Sequence, residues 1–179
     1  MSSATCPTGI SDTDFGTNGV FNYGLDFEAN LYAAVLTPEG DIILAGSTTD
    51  YQTYEALLMK LTMDGELDAT FGNGGVVTSN LSLVDPNQDT QLFDVALDAD
   101  GNILVSGNSY DENYIRRPII ARYMRGVLDT SFGMDGIATI DSGVGSSSFQ
   151  GVVVQPDGSI VASGYFKHRA VVRDAPRPV

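Results

Sequence analysis

Short apolar runs separated by Gly, Asp and Pro alternate along most of the chain. Runs rich in Val, Ile and Leu with such boundaries are typical of β-strands, and no window keeps the apolar spacing of a helix. Asp-Gly or Glu-Gly pairs stand between several of the runs and supply the positive φ that a tight hairpin needs. The pattern therefore predicts an all-β protein made of short antiparallel strands.

Three signals recur three times in the same order. The first is a Phe-Gly corner, which reads DTDFGTNGVF from Asp12, DATFGNGGVV from Asp68 and DTSFGMDGIA from Asp129. The second is a hairpin, which reads AAVLTPEGDIILAG, DVALDADGNILVSG and GVVVQPDGSIVASG. The third is an apolar run, which reads ALLMKL, PIIARY and, more weakly, AVVRDA. We interpret residues 11–67, 68–128 and 129–179 as three repeat units that follow a polar leader, residues 1–10.

The spacing of the glycines places the length variation in a single loop. The hairpin glycine and the next corner glycine are 32 residues apart in both cases, Gly40 to Gly72 and Gly101 to Gly133. The distance from the corner to the following hairpin varies between 24, 29 and 25 residues. Insertions at one place in a repeat usually map to one face, and this is often the binding face.

Each unit is predicted to contain four strands. In the middle unit they run from Gly75 to Ser79, Leu92 to Leu97, Asn102 to Gly107 and Ile119 to Tyr123. Four-stranded units repeated about every 60 residues are typical of β-propeller blades, which must stack to bury their faces. We therefore expect three four-stranded antiparallel blades, with the repeated phenylalanines filling the space between neighbouring blades; these are Phe15, Phe71 and Phe132.

The segments LDATFG, LDTSFG, PEGDIILAG, ADGNILVSG and QPDGSIVASG resemble delta-60 repeats. The resemblance covers Ser11 to about Ala162. It implies a β-propeller of the type found in large bacterial proteins that are secreted or lie on the cell surface. Two segments depart from it: ISDTDFG lacks a preceding Leu, and RAVVRDAPRPV has lost the pattern of a last strand.

Three blades make an incomplete ring, because propellers have roughly 4 to 8. An arc of blades leaves an edge and a face uncovered at each end, and such edges invite pairing with another chain. We expect the ring to be closed by homo-oligomerisation or by further propeller repeats of a longer protein.

The charge of the chain argues against several partners. It has 9 basic and 23 acidic residues, a net charge of -14, which repels nucleic acid and anionic lipid. No apolar run approaches the ~20 residues of a membrane-spanning helix, so we expect no membrane insertion.

The residue inventory also argues against catalysis. His168 is the only histidine and Cys6 the only cysteine, and no Gly-x-Ser-x-Gly nucleophile turn is present. We expect a non-catalytic protein and disfavour a hydrolase or lyase built on a propeller.

The loop between the third and fourth predicted strands carries the candidate ligand-binding residues. These are Tyr51 and Tyr54 in the first unit and Tyr110, Tyr114 and Arg116 in the second. In an up-and-down blade this loop and the variable loop emerge on the same face. Tyrosines among polar residues are typical of recognition surfaces, so the pattern indicates a glycan or cell-surface ligand; the alternative is that each Tyr packs on its own strand.

The variable loop of the second unit offers a candidate calcium site. Asp85, Asn87 and Asp89 place three oxygen ligands at alternate positions, as Ca²⁺ prefers; the alternative is a solvated loop, and no other cofactor is expected. The leading functional hypothesis is an extracellular recognition or adhesion module. The rival is an architectural spacer or an oligomerising tip domain with no ligand of its own.

Overall fold

A computed structural model describes residues 12–24, 28–82, 88–140 and 145–166, and the backbone of residues 169–175. These residues form strands and no helix, so none of them belongs to a helix that could cross a membrane. The strands are β1 (Glu28–Leu36), β2 (Ile42–Thr49), β3 (Tyr54–Leu61), β4 (Val76–Ser79), β5 (Thr90–Leu97), β6 (Ile103–Tyr110), β7 (Arg116–Met124), β8 (Val127–Leu128), β9 (Ile137–Thr139), β10 (Ser147–Val154), β11 (Ile160–Phe166) and β12 (Arg169–Ala175).

The strands form three antiparallel sheets of the same design. The first sheet has the order β1-β2-β3-β4, and the second has the order β5-β6-β7-β8 with β9 also paired to β7. The third sheet has the order β10-β11-β12 among the residues described. The predicted all-β class and the repeated antiparallel units are confirmed.

The strand after each of the two internal Phe-Gly corners belongs to the preceding sheet, whereas the sequence placed it first in its own unit. β4 pairs with β3, Leu58 opposite Val77, and β9 pairs with β7 in the same way. The corner turns the chain back along the outer edge of the strand it has just left. Sheets and sequence units are therefore offset by one strand.

The weakly patterned segment near the C-terminus forms a full strand. β12 pairs with β11 along its whole length, from Phe166 opposite Arg169 to Ile160 opposite Ala175. The departure of this segment from the repeat pattern therefore does not prevent strand pairing with β11.

The first strand of each sheet carries a β-bulge that dictates a glycine on its neighbour. The register shifts at Tyr32, Phe93 and Gln150, just after residues paired with glycines. The pairs are Leu31 with Gly46, Leu92 with Gly107 and Phe149 with Gly164. A Cβ on any of these glycines would overlap the carbonyl oxygen of the residue before its partner. The last glycine of ILAG, LVSG and VASG is therefore required by the bulge.

Two apolar clusters lie between the sheets. The first joins residues of the first and second sheets and contains Phe71, which is 4% exposed. The second joins residues of the second and third sheets and contains Phe132, which is 2% exposed. The predicted place of these two rings between neighbouring sheets is confirmed. Phe15 lies against Gly65, in the turn after β3, and is only half-buried.

An aspartate fixes each internal corner to the third strand of its sheet. Asp68 Oδ1 accepts hydrogen bonds from the backbone and hydroxyl of Thr70, at 2.9 and 2.6 Å, and Lys60 Nζ lies 2.7 Å from Asp68 Oδ2. Arg122 and Asp129 repeat this ion pair at 2.6 Å in the second sheet. The Asp of each corner thus closes the turn and ties it to a strand.

We expect Asp68→Asn to lower the free energy of unfolding by about 1 kcal/mol near neutral pH, discounted for partial exposure. The hydrogen bonds from Lys60 and Thr70 lower the pKa of Asp68 from 3.8 to about 2. A carboxyl whose pKa is lowered by folding stabilises the protein above its unfolded pKa, and this contribution is lost as the pH falls through the folded value. Urea unfolding of both proteins should therefore differ near pH 7 and converge near pH 2. A constant difference across that range would contradict this role of the carboxylate.

Candidate functional site

The candidate loops gather at one end of the first two sheets, here called the loop end: residues 50–53, residues 111–115 and residues 88–89. Tyr54 N–H donates a hydrogen bond of 2.8 Å to Asp89 Oδ1. Tyr110 N–H donates one of 3.0 Å to the Asp89 carbonyl. Asp89, just before β5, therefore links the two tyrosine-bearing segments, so the described end of the variable loop lies beside them.

Asp89 is the one proposed calcium ligand that the structure describes, since Asp85 and Asn87 lie outside the described residues. Its Oδ1 already accepts the hydrogen bond from Tyr54. Within the described ranges, no group of three or more His, Cys, Asp or Glu side chains could hold a metal ion. The calcium site stays a prediction.

Two tyrosines stand at the tips of the loop end. Tyr51 is 78% exposed and Tyr114 is 77% exposed. Both have the left-handed backbone conformation, with φ of 69° and 56°, which is uncommon for a residue other than glycine. The loops therefore hold two large aromatic side chains in solvent at a cost in backbone energy.

An aspartate at the start of each loop holds this conformation. Asp50 Oδ1 accepts hydrogen bonds from the N–H groups of Gln52 and Thr53, at 3.0 and 3.1 Å. Asp111 Oδ1 accepts them from Asn113 and Ile115, at 2.9 and 3.0 Å. Such turns close a loop without help from other elements.

These hydrogen bonds keep both carboxyls ionised. The N–H groups of Thr53 and Gln52 lower the pKa of Asp50. Burial raises the pKa of Asp111, but the hydrogen bonds from Ile115, Asn113 and Arg117 together lower it further than burial raises it. Both carboxyls are therefore ionised at neutral pH, with Asp111 paired to Arg117.

The side chain of Arg116 joins the second sheet to the third. Arg116 Nη1 donates a hydrogen bond of 2.9 Å to Tyr165 Oη, and its guanidinium lies 5.8 Å from the centre of the Tyr110 ring. One of the five candidate residues, Arg116, therefore makes a contact between sheets, and Tyr110 packs against it within the second sheet. Tyr54 is half-buried, so Tyr51 and Tyr114 are the candidates that project freely.

A cavity of about 350 Å³ opens at the loop end of the second sheet. Its rim is polar and its floor is apolar; it is lined by Leu81, Ser109, Tyr110, Asp111, Glu112, Asn113, Arg117, Ile119, Thr139 and Ile140. Arg117 holds Asp111 at this rim through Nε and Nη2, at 2.9 and 2.8 Å from Oδ2. Of the five predicted residues only Tyr110 lines the cavity.

The charged pair at this rim was missed by sequence reasoning. Asp111 carries a visible signal, since an Asp follows the second strand of both sheets, in STTD and in NSYD. Arg117 carries none, because it stands next to Arg116 and only the direction of each side chain separates their roles.

A second set of side chains stands at the bulges of the first strands, two of them exposed and Phe93 half-buried. Tyr32 is 52% exposed and its ring centre lies 5.5 Å from that of Phe93. Gln150, at the third bulge, is exposed and donates a hydrogen bond of 2.9 Å to the Ser148 hydroxyl. The bulges thus place two aromatic rings and an amide at equivalent positions of three sheets, and no pattern in the sequence had marked them.

The comparison with known families agrees with this architecture. A family model described as "Domain of unknown function (DUF5122) beta-propeller" matches residues 37–71 and 99–132. Each matched segment runs from the hairpin turn to the phenylalanine of the corner, through β2 and β3 in the first case and through β6, β7 and β8 in the second. The repeats are of the propeller type. No curated protein matches the chain. The family match therefore supports the fold, and the function has to be inferred from the residues.

Proposed function

We propose that this propeller-type chain is a non-catalytic recognition module that works outside the cell and binds a glycan at its loop end. The observation that carries the proposal is the pair of exposed tyrosines at matching loop tips, Tyr51 and Tyr114, of which Tyr114 follows Asn113 at the lining of a cavity. Loops fixed on a rigid sheet are the common place for binding residues, and tyrosine combines an apolar ring with a polar hydroxyl.

The chemistry of the loop end fits a neutral sugar. The tyrosine rings offer stacking faces, and the cavity rim offers the carboxylates of Asp111 and Glu112, the amide of Asn113 and the guanidinium of Arg117. A cavity of about 350 Å³ falls in the range of small-ligand sites, roughly 300 to 1,000 Å³. The net charge of -14 disfavours an anionic ligand.

The resemblance to delta-60 repeats supports a secreted or cell-surface location. One observation favours the rival function of an architectural spacer: the Arg116 side chain is used to contact Tyr165 of the third sheet and the Tyr110 ring. A spacer needs such contacts between sheets and no free aromatic residues, whereas Tyr51 and Tyr114 are free.

We expect the double variant Tyr51→Ala, Tyr114→Ala to bind a glycan array of neutral oligosaccharides at least tenfold more weakly than the wild type. Loss of two aromatic contacts removes roughly 1.4 kcal/mol or more of binding free energy. The matched control is Tyr32→Ala, which removes an exposed tyrosine away from the loop end. Unchanged binding by the double variant would refute the site, and a wild type that binds neither glycans nor whole cells would favour the spacer.

A further inference from the structure

The two inter-sheet contacts of this chain are built alike. In the first, Ile43, Ala45 and Leu58 of the first sheet pack with Val95, Val105 and Ile119 of the second. In the second, Leu104 and Ile120 of the second sheet pack with Val152, Ile160 and Ala162 of the third. We call the side of each sheet that faces the next one its leading face, and the opposite side its trailing face. Each contact joins one leading face to one trailing face.

The trailing face of the first sheet has no such partner among the described residues. Leu31, Leu92 and Phe149 occupy the same register position, opposite the bulge glycine. Leu92 and Phe149 are 0% and 1% exposed, whereas Leu31 is 42% exposed. A leucine at a core position is thus left in solvent.

The same comparison holds along β1 and β2. Leu36 is 66% exposed, whereas its equivalents Leu97 and Val154 are packed against the two clusters. Leu44 is half-buried, whereas its equivalent Val105 is fully buried. The outer part of this face, Leu57 and Met59 on β3, is already buried, so the open area lies on the two inner strands.

The leading face of the third sheet is open in the complementary way. Val153 is 58% exposed, whereas its equivalents Val35 and Ala96 are packed against the clusters. Val161 is half-buried, whereas its equivalents Ile43 and Leu104 are 2% and 1% exposed. One open face of each kind therefore remains, and together they are the two halves of the contact that this chain makes twice internally.

We propose that the open leading face of one copy, around Val153, packs on the open trailing face of a second copy, around Leu31. Copies joined in this head-to-tail way close into a ring or continue into a filament. Two copies provide six sheets, within the roughly 4 to 8 blades of propellers, whereas three copies would exceed it. If copies of this chain alone complete the ring, two are enough, and the partner we propose is a second copy in a closed dimer.

Charge sets the conditions of this assembly. Each copy carries a net charge of -14, and like charges oppose association of two copies. Salt screens such repulsion over distances beyond about 8 Å at physiological ionic strength. The apolar contact should therefore strengthen, and the dimer become more populated, as salt is added.

The test is sedimentation velocity with light scattering over about 5 to 200 µM protein, since mass action favours the dimer as concentration rises. The wild type should reach twice the 19.0 kDa of one copy. Leu31→Glu and Val153→Glu should each raise the dissociation constant at least about 100-fold, because each buries an unpaired carboxylate. The matched control is Val127→Glu, which changes a valine that is 68% exposed at the edge of the second sheet and should leave the dimer intact.

Mixing the two variants tests the head-to-tail geometry itself. An equimolar mixture of Leu31→Glu and Val153→Glu contains one unaltered pair of faces, so a dimer should reappear with weaker affinity than the wild type. A thermal melt by circular dichroism checks that each variant is folded. A wild type that stays at 19.0 kDa in high salt, or a Leu31→Glu variant that dimerises like the wild type, would overturn the proposal. Neither result bears on glycan binding at the loop end.

Discussion

Gly107→Ala is expected to lower the free energy of unfolding by at least about 3 kcal/mol, the upper end of overpacking costs. Gly107 has no positive φ, so its backbone conformation does not demand glycine. Its added methyl group would overlap the carbonyl oxygen of Gln91 and come within 3.0 Å of the Leu92 Cα. Both are backbone atoms of the bulged strand β5, and Leu92 is fully buried in the first cluster. No side chain can move aside, so the bulge itself must shift.

Substitutions at two other glycines serve as controls. They separate the steric clash at Gly107 from the general effects of replacing a glycine. At Gly24 no atom lies within 4 Å of an added Cβ and φ is not positive, so Gly24→Ala should change little. At Gly101 the space is also open but φ is 79°, so Gly101→Ala should cost about 1 kcal/mol for the left-handed conformation. Urea unfolding followed by circular dichroism measures all three. A Gly107→Ala midpoint equal to that of Gly24→Ala would show that the bulge can relax.

The strands and hairpins could be predicted from the sequence because their signals are local. The pair Asp100-Gly101 marks a turn by its own chemistry, and the runs beside it are too short for helices. The bulge could not be predicted, since Gly107 is required by Gln91 and Leu92 on another strand. A residue whose role depends on cross-strand register has no signature within its own segment.

For the same reason, the sequence did not reveal which sheet a strand joins. Val76–Ser79 follows the corner in sequence, so it was grouped with the strands that come next; the structure pairs it with β3. The choice depends on the corner, where Gly75 O accepts a hydrogen bond from Lys60 N–H at 2.9 Å. This hydrogen bond holds the returning chain beside β3. The spacing of residues along the sequence does not reveal it.

At the loop end, the position of the loops could be predicted from the sequence, but the contacts of single side chains could not. Successive residues of a strand point to opposite faces: Arg116 reaches Tyr165 of the third sheet, while Arg117 reaches Asp111 at the cavity. The sequence favoured Arg116, and the structure favours Arg117 as the cavity residue. Composition predicts that a loop is polar and aromatic. The alternation of side chains at the start of β7 decides which arginine faces the cavity.

Phe71→Ala is expected to lower the free energy of unfolding by about 3 to 5 kcal/mol, the range for removing a buried phenylalanine and leaving a cavity. The Phe71 ring lies between the first two sheets and is 4% exposed. Phe132→Ala should cost a similar amount and should also remove the contact with the Arg122 guanidinium, 4.9 Å from the ring centre. The loss of both rings would loosen both contacts between sheets.

Phe15→Ala is the informative control, because Phe15 stands in the same motif and is only half-buried. In dilute protein, Phe15→Ala should lower the free energy of unfolding by about 1 kcal/mol, since a half-buried ring contributes little buried apolar area. Urea unfolding of the three variants at one low concentration should therefore rank Phe15→Ala well below the other two. Equal costs would mean that burial does not set the role of the ring. A cost for Phe15→Ala that rises with protein concentration, while that of Phe71→Ala stays constant, is what docking of a second copy beside the first sheet would produce.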